Sequence, residues 1–286
     1  YTREGAQGAT SFNEIIAKGY GEPRSAKEFA ELAQWVNYDG HRSLFESRSQ
    51  NRKGLLMWMS HSCWPSMVWQ TYDYYFEPTA AYFAIKKASE PLHIQWNPVT
   101  DEVEVVNYSG GNRKGLTAKA QVLNMDASVA WEKEVAIDSN EDTTNKCIKL
   151  AFPANLSKVH FIKMVLTENG KVVSDNFYHR SLEENNYQDL RQLAKVALQS
   201  TTTVDKNADG TWSAVSVIEN KTSTPALMIR LNVVGSKDGQ QLLPVFYSDN
   251  YFSLLPGEKK EVRMSWKDED TRGNEGKVLI TGYNVE

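Results

Sequence analysis

A mixed helical and stranded opening segment followed by two β-sandwiches is the organisation the sequence predicts. Three observations carry it. Apolar residues recur at helical spacing in two stretches before about residue 90, the period falls to two from about His93 onward, and Asn169-Gly170 stands between two apolar runs as a hairpin turn. At 286 residues the chain suits two or three domains. A composition of 41% hydrophobic and 24% charged residues is that of an ordinary globular protein and excludes a disordered, collagen-like or disulfide-scaffold chain.

The first piece runs from residue 1 to 96. Ser25-Ala26-Lys27-Glu28 is a capping box, and Phe29, Leu32, Val36 and Leu44 follow at helical spacing up to breakers around Asn51 and Gly54. Leu55-Leu56-Met57-Trp58-Met59 is a short continuous apolar run, as expected of a strand buried on both faces. A second helix opens with Pro78 in its first turn, runs through Ala80 to Ile85 and stops before Pro91. Helix, buried strand, loop and helix make the tail of an α/β unit.

The second piece, 97–182, alternates. Val103, Val105, Ala118, Ala120 and Val122 are spaced two apart, and Val159–Val165 and Lys171–Val173 flank the Asn169-Gly170 turn. Strands at this spacing without helical pattern between them indicate a β-sandwich. Leu182–Leu198 reads as a linker with a short helix. The third piece, 183–286, repeats the architecture: a turn at Asn207–Gly210 precedes Thr211–Val217, Ala226–Val234 is a strand, and Leu255-Pro256-Gly257-Glu258 turns into Val262–Trp266. Trp212 and Trp266 fall on strands as core residues.

Charge and cysteine content exclude several classes. With 32 Lys and Arg against 36 Asp and Glu the net charge is −4, so nucleic acid is not an expected partner. The dense basic pair Arg52-Lys53 reads as a solvated loop. No apolar stretch approaches the length of a transmembrane helix. Cys63 and Cys147 are too few for a metal site and read as two buried thiols; no metal and no cofactor is expected. Tyr1-Thr2-Arg3-Glu4 is neither an initiator Met nor a signal peptide, and the chain reads as part of something longer.

Candidate chemistry lies after the apolar run, since α/β barrels carry function at the carboxyl ends of their strands. Trp58, Trp64 and Trp69 with His61 and Asp73 suit a flat aromatic surface for a sugar ring and groups that hydrogen-bond its hydroxyls. The competing reading is packing on the following helix, and it is the preferred one for Trp69, Tyr72 and Tyr75. His93, His160 and His179 are scattered singly and read as core or surface residues, and Asp249-Asn250 reads as a turn.

Gly54-Leu55-Leu56-Met57-Trp58-Met59, Trp64-Pro65-Ser66, Trp69-Gln70, Tyr72-Asp73-Tyr74-Tyr75 and Pro78 through Gln95 resemble the last barrel strand and helix of glycoside hydrolase family 2, nearest the exo-β-D-glucosaminidases with β-mannosidases close behind. Tyr20-Gly21-Glu22-Pro23, Asn37-Tyr38 and Arg42–Glu46 match the same branch, and Ser248–Glu258 resembles its terminal immunoglobulin-like domain. The resemblance implies the end of a TIM (β/α)8 barrel followed by two immunoglobulin-like β-sandwich domains. It implies a retaining exo-acting β-glycosidase, an oligosaccharide or polysaccharide substrate, the remainder of the catalytic barrel as partner, and an extracytoplasmic (secreted or periplasmic) location. The alternative is a non-catalytic carbohydrate-binding or structural β-sandwich module.

A retaining glycosidase needs two carboxyl groups about 5 Å apart. Glu4, Glu14 and Glu22 do not match the family's strand-end glutamates, so the catalytic pair is expected before Tyr1. The resemblance makes Trp58 the floor of the subsite for the non-reducing sugar and implies a cis Trp58–Met59 peptide. His61 stands where relatives commonly have Asn, and an imidazole there can still hydrogen-bond a hydroxyl. Ser62 follows where β-mannosidases often have Asp, which favours the glucosaminidase branch. Trp64 completes the substrate-binding candidates, beside the reading in which Trp64, Trp69 and Asp73 only fix the loop.

Overall fold

The computed structural model describes residues 9–47, 54–65 and 70–286, in two compact units. The described parts of 1–36, 40–56 and 85–192 form unit 1, and those of 37–39, 57–84 and 193–286 form unit 2.

Helix α1 spans Ala9–Tyr20 and α2 spans Ala26–Glu46. The capping box forms as predicted. Ser25 Oγ accepts the Glu28 amide at 3.1 Å, and the Glu28 carboxylate reaches back to the Arg24 amide at 2.6 Å, one residue before the cap. The buried stripe of α2 is Leu32, Trp35, Arg42, Phe45 and Glu46. Of the four predicted positions only Leu32 is fully buried, and Leu44 is exposed. The inward positions belong instead to the larger Trp35 and Phe45 rings, which bury more apolar area.

Helix α3 spans Ala80–Ala88 and ends before Pro91. Its entry is set by Thr79, whose Oγ1 donates to the carbonyls of Gln70 at 2.9 Å and Thr71 at 3.1 Å. Pro78 stands just outside the helix, in a bridge with Tyr72.

Unit 1 holds a seven-stranded sandwich: β1 Leu92–Asn97, β2 Glu102–Asn107, β3 Arg113–Asn124, β4 Val129–Ser139, β5 Thr143–Lys149, β6 Val159–Glu168 and β7 Lys171–Ser181. One sheet has the order β1-β2-β5 and the other β4-β3-β6-β7, all antiparallel. Ile94, Val103, Val105 and Ile148 meet Leu116, Ala118, Ala120, Ile162 and Met164 in the core. The period-two pattern of β3 is therefore a core face, as predicted. At the β6–β7 hairpin Asn169 and Gly170 have φ of 50° and 75°, the two left-handed positions of the turn. A 3-10 turn, Gln188–Gln192, occupies the predicted connecting segment.

Unit 2 holds a second sandwich: β8 Gln199–Lys206, β9 Thr211–Glu219, β10 Ala226–Gly235, β11 Phe246–Tyr247, β12 Phe252–Leu254, β13 Lys259–Lys267 and β14 Gly276–Thr281. Its sheets have the orders β11-β13-β9-β8 and β12-β10-β14. Ile218, Ile229, Leu231, Val233, Val262 and Trp266 fill the core with Phe83 of α3. Trp212 stacks on Trp266 at 6.3 Å and 4°, and its Nε1 donates to Asp268, so both indoles serve the sandwich.

One prediction is corrected. The run Leu55–Met59 is not a buried strand: Leu56 is 98% exposed, Trp58 is 80% exposed, and no strand precedes β1 among the described residues. A strand exists only with ladder partners for its backbone, and none of the described strands pairs with this run. The described residues accordingly show immunoglobulin-like sandwiches and three helices, with no barrel strand among them.

Candidate functional site

Residues 57–65 and 70–79 of unit 2 carry the aromatic cluster. Two main-chain turns fix it. The Tyr72 amide donates to the Ser60 carbonyl at 3.1 Å and Thr71 Oγ1 donates to the same carbonyl at 2.9 Å. Ser62 Oγ donates to Gln70 Oε1, and both residues are buried. Asp73 then closes a tight turn: its Oδ1 accepts the amides of Tyr75 at 2.8 Å and Glu77 at 2.9 Å, and its own amide donates to the Glu77 carbonyl at 3.0 Å. The turn forces Phe76 to φ 66°, a left-handed conformation uncommon for a bulky residue.

That strained turn presents Phe76 to His61. The two rings stack at 4.6 Å and 16°, and His61 Nε2 lies 3.4 Å from the Tyr74 carbonyl. The structure therefore seats His61 in a defined orientation. Trp58 and Trp64, 80% and 62% exposed, stand in solvent with open indole faces. Tyr74, Tyr75 and Phe76 are also exposed, so the packing reading fails for Tyr75. It holds for Tyr72, which lies against Tyr82 of α3 at 5.2 Å. Asp73 acts on the loop backbone, as predicted. Trp69, like the Arg52-Lys53 pair, lies outside the described residues.

Two further expectations are corrected. Among the described residues the cis peptide is Leu243–Pro244; Trp58–Met59 is trans, and the departure from common geometry appears instead as φ 61° at Met59. Cys63 is exposed rather than buried, because it follows the pinned Ser62 on the outer side of the loop. Cys147 is half-buried on β5, where its Sγ contacts the Val103 carbonyl at 3.3 Å and burial pushes the thiol up to about 11.

Unit 1 contains a polar cluster that sequence reading missed. His93, fully buried, lies between Glu46 Oε1 at 3.0 Å and Glu90 Oε2 at 3.2 Å. Glu46 also accepts Tyr178 Oη at 2.9 Å and Asn176 Nδ2 at 2.9 Å. Arg42 lies over the Tyr178 ring at 4.0 Å and donates to Asn176 Oδ1 at 3.1 Å. Glu90 is met by Lys87 at 2.8 Å and Ser174 Oγ at 2.6 Å. Burial pushes the His93 imidazole down, but hydrogen bonds and charge from Glu46 and Glu90 outweigh it and the net direction is up. Burial pushes the Glu90 carboxyl up, and His93 and Lys87 outweigh it, leaving it below the ordinary range.

Every acid of this cluster is met by donors from within the fold. A signal for it existed: Arg42 and Glu46 fall on the same three-to-four-residue spacing as Leu32 and Trp35. A charge on an apolar helix stripe must find partners inside. Among the described residues no group of three or more His, Cys, Asp or Glu could hold a metal ion, and no helix is long and apolar enough to cross a membrane.

Comparison with known proteins gives a consistent result. Residues 176–285 match the exo-β-D-glucosaminidase Ig-fold domain family. An exo-β-D-glucosaminidase of Amycolatopsis orientalis is 31% identical over 96% of this chain and 29% of its own length. A mannosylglycoprotein endo-β-mannosidase of Lilium longiflorum is 24% identical over 93% of this chain and 34% of its own. The crystal structure of the Amycolatopsis orientalis exo-chitosanase CsxA superposes with a TM-score of 0.90 at 29% identity, covering 96% of this chain and 36% of that one. The chain spans about a third of the length of the curated relatives it matches.

Proposed function

We propose that this chain, a homologue of exo-β-D-glucosaminidases over most of its length, is the carboxyl-terminal portion of a retaining exo-acting β-glycosidase of glycoside hydrolase family 2 that cleaves β-glucosaminides or β-mannosides. Residues 1–96, less the sandwich strand β1 that begins at Leu92, are the end of its catalytic barrel, and 97–182 with β1 and 183–286 are its terminal sandwiches. Trp58, His61 and Trp64 form one wall of the sugar site, and the catalytic carboxylate pair comes from the remainder of the barrel. The observation that carries this reading is the exposed Trp58 indole on the same loop as His61, which is stacked on Phe76.

The roles follow from chemistry. An open indole face meets the C–H groups of a pyranose, combining apolar burial with a fixed orientation. The imidazole, already oriented by Phe76 and the Tyr74 carbonyl, meets a hydroxyl. Both act by placing the sugar so that carboxylates on the opposite side reach the glycosidic bond.

Fluorescence titration of the chain with a β-1,4-linked glucosamine trimer tests the reading. The tryptophan signal is expected to saturate with the trimer and to lose that response in Trp58→Ala, while the chain alone turns over no chromogenic β-glucosaminide or β-mannoside. Turnover by the chain alone would overturn the assignment of the carboxylates elsewhere. Binding that survives Trp58→Ala unchanged would make the chain a non-catalytic binding module instead.

A further inference from the structure

The aromatic loop must be held by something other than its own turns, because a five-residue turn fixes shape but not place. Strand β10 supplies the place. Along it Ile229, Leu231 and Val233 point into the core, so by the two-residue period Arg230 and Asn232 share the outward face. Glu77, the last residue of the Asp73 turn, reaches that face: its Oε1 accepts both Arg230 Nη2 and Asn232 Nδ2, the latter at 3.0 Å. The Arg230 guanidinium in turn lies over the buried Tyr251 ring at 5.8 Å.

A continuous path results. Two donors on a sandwich strand hold Glu77, the Glu77 amide holds Asp73, the Asp73 turn sets Phe76 at φ 66°, and Phe76 stacks on His61. We infer that Glu77, Arg230 and Asn232 are positioning residues that set the orientation of His61 through the Asp73–Phe76 turn. Terminal sandwich and recognition loop are then one device: β10 acts on the sugar without touching it. A guanidinium nitrogen and an amide nitrogen from two residues of one strand, converging on one carboxylate oxygen, define a direction as well as an attachment, which a single contact would not. The consequence for sugar affinity rests on the function proposed above; the orientation of His61 does not.

The experiment therefore reads both. The His61 ring lies against Phe76, so its protons are expected to carry a ring-current shift, and His61→Gln identifies them among the five histidines of the chain. In Glu77→Gln and Arg230→Met the His61 resonances are expected to move towards unstacked positions while those of His93 and His179 stay in place. Affinity for the β-1,4-linked glucosamine trimer is expected to fall about tenfold, a 1.4 kcal/mol change, and Arg230→Lys is expected to recover part of both. Asn232→Ala removes one donor without uncovering a charge and serves if the other variants do not fold. Unchanged His61 resonances in a folded variant would overturn the inference, as would a uniform movement of all five histidines, which marks general loosening. If the unaltered chain binds no trimer while the His61 resonances move as expected, the sugar reading fails and the positioning role stands.

Discussion

Glu46 in unit 1 is 6% exposed and partners His93, Asn176 and Tyr178, whereas Trp58 in unit 2 is 80% exposed and keeps an open ring face. Each inverts the usual preference, a charge inside and an indole outside. The compensation differs. The buried carboxylate is stable because each neighbour donates to it, so its value is spent within the fold. The indole stands on a loop whose backbone is fixed at the Ser60 carbonyl and at the Asp73 carboxylate, and its face stays available. Polar partnering that ends in the core specifies packing; partnering that fixes the loop of an exposed ring prepares a surface.

Removing an acceptor from the buried cluster should have the largest effect. Glu46→Leu takes one acceptor from His93, Tyr178 Oη and Asn176 Nδ2 in a buried site, and urea unfolding is expected to show a loss of about 3–5 kcal/mol. A loss below 1 kcal/mol would mean that unit 1 does not depend on the cluster, and the contrast would break.

The two thiols sharpen the same contrast. Burial pushes Cys147 to about 11, so at pH 8 only about one part in a thousand is thiolate. Cys63 is exposed. A disulfide reagent at pH 8 should modify one thiol per chain, and Cys63→Ser should abolish that fast reaction.

A smaller effect is expected from pH at the buried cluster of unit 1. The folded pKa of His93 lies above its ordinary 6.5, so the stabilisation from its protonated ring is complete below about pH 6.5 and is lost as pH rises through the folded value. The folded pKa of Glu90 lies below its ordinary 4.5, so its contribution is held above that pH and lost as pH falls. Thermal midpoints should therefore be highest between these limits, and His93→Gln should flatten the alkaline side. The smallest stability change belongs to Trp58→Ala, expected within about 0.5 kcal/mol of the unaltered chain although it removes the proposed sugar contact.

Local features were the legible ones. Asn169-Gly170 specifies its hairpin because both residues tolerate the positive φ the turn requires. The Ser25–Glu28 cap and the alternation of β3 likewise depend on neighbours a few residues away. The run Leu55–Met59 was misread because a buried strand and an exposed loop have the same apolar composition; only ladder partners tell them apart. Glu46 and His93 stand 47 residues apart, and nothing between them announces that they meet. His61 was singled out from its place in the aromatic cluster, but its stacking on Phe76 depends on a turn that no pattern of residue types reveals.

By itself the sequence determined the two sandwiches, the helices at Ser25 and Pro78 and the aromatic character of the loop, because each rests on periodicity or on the φ preference of a few residues. Tertiary structure alone decided which apolar residues face water, that Arg42 and Glu46 turn inward, and that Arg230 and Asn232 hold the loop through Glu77. The physical reason is common to all three. Burial and hydrogen-bond satisfaction are properties of a surrounding, and a surrounding is assembled from residues far apart in the chain.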